Sequence, residues 1–246
     1  ATIYTLSTYL LRLLPALVLF GLFFVLVKPD KNLRIVLYNL IFILLRDAMT
    51  PLGLWRLGAV KGVFWVRLSQ DPLFLVLFGV FSFFLVVALF IADHENRDHL
   101  LWFRENVLLG IMVGVLGSLI IIAPLVFPYR NIDISLRGGE VARSLLVPIL
   151  IFALLGNLFE ESLFRGYVLG LLKERHGRNS AGIYSGLTFA VCHTFLSITV
   201  TNVGLPLLAF ALWEGIIAGI IGAKFGIISA TLAHGGAIFL LSSGLF

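Results

Sequence analysis

Two adjacent carboxylates, Glu160 and Glu161, are followed four residues later by Arg165 inside an otherwise apolar stretch, Asn157-Leu158-Phe159-Glu160-Glu161-Ser162-Leu163-Phe164-Arg165. Positions four apart share a helix face, so Glu161 and Arg165 can neutralise one another away from water. Glu160 is rotated from Glu161 by about 100° and is left without that partner. An unpaired carboxylate stripped of water is suited to take a proton from a water molecule, which is the work of a general base. His193 and His234 each sit in a different later apolar segment, as a site assembled between bundle helices requires. With Glu160 they can hold a divalent cation such as Zn²⁺ with water in the remaining position. Alternatively, Glu160 acts as base directly while a histidine steadies the oxyanion. Both routes end in hydrolysis.

A charge at the middle of a membrane span costs at least about 2.5–3.5 kcal/mol for Arg, Lys or Asp, so the position of each one is informative. Arg12 stands in the first apolar stretch, where its long stem can carry the charge to the headgroups. Glu214, beside Trp213, lies mid-segment with no motif of its own and stays off the catalytic set. The run His94-Glu95-Asn96-Arg97-Asp98-His99 imitates a zinc-protease HExxH, but its histidines are five apart and fall on different helix faces. A solvated loop is the expectation there. A proton or ion path also places Glu, His and Arg inside a bundle, but no inverted repeat favours a proton-coupled carrier.

The elements that position these residues must be membrane helices. Of 246 residues, 60% are apolar and only 13% charged, with a mean hydropathy of +1.06. Soluble domains are about 45–50% apolar and about 25% charged. Apolar stretches at 6–27, 33–45, 72–92, 106–127, 144–172, 181–198, 205–223 and 225–245 predict an all-α, polytopic bundle of about eight transmembrane helices, a single transmembrane domain spanning 1–246. Runs such as Leu119-Ile120-Ile121-Ile122-Ala123 do not alternate, which argues against a transmembrane barrel. The first stretch lacks a charged leader and a cleavage site, so it reads as a retained span. Segment 52–68, with Trp55, Arg56, Lys61, Trp65 and Arg67, reads as amphipathic and interfacial. Gly110, Gly114 and Gly117 are spaced for close helix contact. The single cysteine, Cys192, cannot form an intramolecular disulfide. The net charge of +5 sits mostly in connecting segments, facing lipid headgroups rather than nucleic acid.

The block Glu160-Glu161-x-x-x-Arg165, then Phe189-x-x-x-His193, then His234 in the last span, resembles the CPBP family of intramembrane proteases. That family includes the CaaX prenyl endopeptidases of the Rce1 type and bacterial relatives linked to bacteriocin processing and immunity. The resemblance covers about residues 144–245, the expected catalytic core. It implies an endopeptidase acting on a membrane-associated substrate, in a bacterial cell membrane or in the endoplasmic reticulum of a eukaryote. Glu160 would activate water together with His193, Glu161 and Arg165 would support the site, and His234 would serve the oxyanion or a metal. Zn²⁺ held by Glu160, His193 and His234 is the metal alternative. Gly215, Gly219, Gly222 and Gly226 fit the small-residue segment before the last histidine. The family's last motif continues to an Asn or Asp four residues after its histidine, and here that position is Ile238. This departure leaves three readings: a slow enzyme, a substitute donor such as Asn202, or a non-catalytic scaffold or immunity protein of the same fold.

Overall fold

The computed structural model of the protein describes residues 2–245, and 78% of those residues are helical. Lipid cannot hydrogen-bond to a backbone, so apolar runs of this length close their own bonds as helices. Among the described residues seven helical segments are long and apolar enough to cross a membrane, and Ile227–Ser243 is an eighth, shorter apolar helix of 17 residues. The chain is an integral, multi-pass membrane protein. Its elements are α1 (Thr2–Val27), α2 (Lys31–Met49), strands β1 (Trp55–Val60) and β2 (Val63–Leu68), α3 (Pro72–Ala92), α4 (Val107–Arg130), α5 (Leu146–Glu161), α6 (Leu169–Lys173), α7 (Arg178–Val191), α8 (Leu205–Phe225) and α9 (Ile227–Ser243). α5 and α6 form one continuous span, Arg143–Lys173, joined by a π-type turn at Ser162–Val168.

Helix starts follow local chemistry. The Asp30 carboxylate accepts from the amides of Asn32 and Leu33 to open α2, and Asp71 does the same for Leu73 and Phe74 at α3, where Pro72 occupies the first turn. Asn106 accepts from the Leu109 amide to open α4.

Within the segment read as amphipathic and interfacial, 52–68, residues 55–68 form a β-hairpin, with register running from Trp55 opposite Leu68 to Val60 opposite Val63. Lys61 and Gly62 form the two-residue turn with φ of 50° and 77°, the paired positive values that match hairpin twist. β-branched and aromatic residues fill β2, which presents buried Phe64 and Val66 to the bundle. Tyr129, at the end of α4, donates its hydroxyl to the Phe64 carbonyl at 2.6 Å and anchors the hairpin.

Glycine seams bring the core helices together. A methyl on Gly114 would stand 2.6 Å from the Ser229 carbonyl of α9, and one on Gly117 would meet Ala233, so the expected glycine face of α4 is its contact with α9. Gly182 and Gly186 of α7 face Gly219 and Gly215 of α8, backbone against backbone. α3 packs on α5 and α5 on α9. Gly226, at φ 97°, separates α8 from α9, and the first amides of α9, Ile227 and Ile228, donate to the carbonyls of Leu101 and Trp102. The charged loop before α4 therefore supplies the acceptors that a helix start lacks within itself.

Candidate active site

Four helical segments and one helix break meet around a buried set of charges. Glu161, the last residue of α5, is fully buried, and its Oε1 accepts from Arg165 Nη1 at 2.9 Å. The same oxygen accepts from His234 Nδ1 of α9 at 2.7 Å. A carboxylate oxygen already held by a guanidinium can only accept, so the Nδ1 proton of His234 lies in this bond. On the other side of the ring, His234 Nε2 stands 3.6 Å from Glu214 Oε2 of α8. One proton between these atoms keeps two lone pairs from facing each other.

Arg165 is fixed at a second point. Its Nη2 donates to the Gly215 carbonyl at 2.9 Å, next to Glu214, and its stem fills the space that a side chain on Gly222 would need. Its guanidinium also lies 4.7 Å from the centre of the Phe189 ring. Thus the glycines of α8 do more than let α7 approach: they admit the arginine.

His193 sits where α7 breaks, just after Val191 and before a second π-type turn at Leu196–Val200. π turns inside membrane helices often mark functional positions. Its Nδ1 bonds the Phe189 carbonyl at 2.8 Å. Because a carbonyl only accepts, Nδ1 carries hydrogen and the neutral ring leaves Nε2 as an acceptor. The Phe189 ring lies between the two histidines, 4.3 Å from His193 and 5.4 Å from His234.

Glu160 differs from all of these. Partly buried at the end of α5, it makes no hydrogen bond or ion pair among the described residues, whereas its neighbour Glu161 carries two. Its electrostatic surroundings are His234, Arg46, Glu161 and Arg165. The sequence expectation of a paired Glu161 beside an unpaired Glu160 is what the geometry contains.

Two residues outside the expected set join the cluster. Glu214, left off it for want of a motif, faces His234, and its Oε1 is buried with no donor among the described residues, as is Glu161 Oε2. Arg46 of α2 donates through Nη2 to the Cys192 carbonyl at 2.7 Å, beside His193. No spacing rule links either residue to its neighbours here. Only an unexpected charge in an apolar span could have flagged them.

Other expectations resolve plainly. Ile238 packs partly buried against the core around Ile121 and Leu241 and brings no polar donor to His234. Asn202 is exposed, in the turn before α8, with φ of 55°, so it does not stand in for the donor missing at position 238. His94 is exposed and His99 lies against Glu174, with burial lowering the His99 imidazole below its usual value. Glu160, His193 and His234, the alternative zinc ligands, do not form a ligand group as arranged: among the described residues no three His, Cys, Asp or Glu side chains are grouped to hold an ion.

Residues 142–240 match the family model described as Type II CAAX prenyl endopeptidase Rce1-like, and the resemblance to the CPBP/Rce1 type holds over that segment. Glu160, Glu161, Arg165, His193, Glu214 and His234 all fall within it, and Arg46 lies outside. No curated protein and no solved structure matches the chain.

Proposed function

We propose that the protein is an intramembrane endopeptidase in which Glu160 activates water to hydrolyse a peptide bond of a membrane-associated substrate. The observation that carries this reading is the contrast between the two adjacent glutamates. Glu161 is locked by Arg165 and His234, and Glu160, in the same charged neighbourhood, has no partner among the described residues and is free to hold water. The Rce1-like match supports the reaction class and favours a lipid-anchored, CaaX-type tail over other peptides.

In this mechanism a water molecule donates to Glu160 and is oriented by the open Nε2 of His193. Glu160 takes its proton as the water oxygen bonds to the scissile carbonyl carbon, and the carbonyl π pair moves onto oxygen. His234 Nε2 stands 3.6 Å from Glu214, too far for a hydrogen bond, so a proton on it is available to the resulting oxyanion. The tetrahedral intermediate then collapses, the C–N bond breaks, and the proton on Glu160 passes to the departing amine. Glu161, itself held by Arg165, fixes His234 through Nδ1. No step uses a metal.

The test is cleavage of a quenched peptide library by the purified full chain in lipid, with and without chelator. Wild type should cleave and Glu160→Gln should lose about 10²–10⁴ in rate, the usual contribution of a general base. Equal background signals from both would instead favour the non-catalytic scaffold, the reading that Ile238 against the apolar core supports. Loss of activity on chelation would assign the water to a metal.

A further inference from the structure

We propose that Arg46 of α2 is a further catalytic residue, whose Nη1 donates to the oxyanion in place of the side-chain donor that position 238 does not provide. This rests on the hydrolase reading above.

Arg46 lies within the Lys31–Leu52 span and is buried, where an ionised group persists only with partners or a task. Its Nε donates to Asp47 Oδ1 at 2.9 Å and its Nη2 to the Cys192 carbonyl at 2.7 Å. The guanidinium is a rigid planar fork, so these two bonds also fix where Nη1 points. Among the described residues Nη1 is buried with no acceptor at all.

The surroundings of that orphan donor are those of the candidate site. Cys192 precedes His193. The guanidinium lies 5.4 Å from the centre of Phe42, whose ring meets Phe159 and Phe164 edge-on, each at 6.0 Å. Phe159 precedes Glu160 and Phe164 precedes Arg165. The charge of Arg46 acts on both Glu160 and His193, yet it forms no ion pair with Glu160. A merely structural ion pair needs Asp47 and the carbonyl, and would carry the desolvation of Nη1 for nothing. A fixed, buried donor with no acceptor of its own is what developing negative charge on a carbonyl oxygen requires. When the oxyanion pair re-forms the C=O bond and expels the amine, Nη1 returns to its resting state, with no proton transferred from Arg46.

The experiment uses the full chain in liposomes, with a quenched peptide cleaved by wild type and a peptide phosphinate as tetrahedral analogue. Arg46→Gln should lower kcat about 10²–10³-fold with KM within about twofold, and weaken phosphinate binding by a similar factor. Adding Ile238→Asn should restore part of kcat, which a structural role for Arg46 would not predict. If Arg46→Gln does not fold, Arg46→Lys carries the test. A lone ammonium cannot serve Asp47, the carbonyl and the oxyanion together, and the same kcat loss is expected. Cleavage lost in Glu160→Gln but unchanged in the folded Arg46 variant overturns this inference alone. Absence of both wild-type cleavage and phosphinate binding overturns the hydrolase reading with it.

Discussion

Arg165 joins three helices through one side chain: Glu161 at the end of α5, the Gly215 carbonyl in α8, and the Phe189 ring in α7. Removing it strands a fully buried carboxylate, and breaking such a pair costs about 3–5 kcal/mol. Arg165→Met should therefore lower thermal stability in detergent sharply, and Glu161→Gln with Arg165→Met should lose less than the sum of the two single changes. A thermal melt followed by light scattering or intrinsic fluorescence measures both. This pair was legible in the sequence because both partners lie on one helix at i and i+4. Glu214 was not, since its partner His234 is on another helix and no local spacing encodes which faces meet. Arg46 was hidden for the same reason: its acceptor, the Cys192 carbonyl, lies 146 positions away.

Among the elements, α7 and α8 meet through glycines on both sides, and a methyl on Gly219 would press into the Gly182 carbonyl. Gly219→Leu should force the two helices apart and carry the Gly215 carbonyl away from Arg165. The expected outcome is loss of monodisperse protein on size-exclusion chromatography, together with any cleavage. The small-residue face could be read in advance, because glycine repeated at helical spacing means close approach. The hairpin at Trp55–Leu68 could not. Its aromatic and basic residues satisfy an amphipathic helix nearly as well as a strand, and the deciding signal was the Lys61-Gly62 turn. Nor did the sequence announce the two π-type turns, since an extra residue in a turn leaves no compositional mark.

At the scale of the molecule, α1 stands apart. Most of its large side chains are exposed, and it holds α2 through Tyr9, which donates to the Leu45 carbonyl at 3.1 Å, and through the Phe24 ring stacked on Tyr38. The candidate site draws on α2, α5, α7, α8 and α9 instead. A chain lacking residues 2–27 should therefore insert and retain Glu160-dependent cleavage within about threefold of the full chain. A truncation that abolished cleavage while leaving a folded bundle would show that α1 acts on substrate entry. The membrane class and about eight apolar helices were plain from composition because lipid admits so few alternatives.

The span from Arg143 to Lys173 contains a change of phase. A turn that closes on the fifth residue takes one more position to come round than an ordinary one, so α6 is out of step with α5. α5 is timed to bring Glu160 and Glu161 to the charged centre, and α6 is timed to bury Leu169 and Gly170, the former packing with Ala181 of α7. A helical wheel drawn straight through would misassign every face beyond Val168. One rod thus keeps two clocks, and the cluster sits where they are reset.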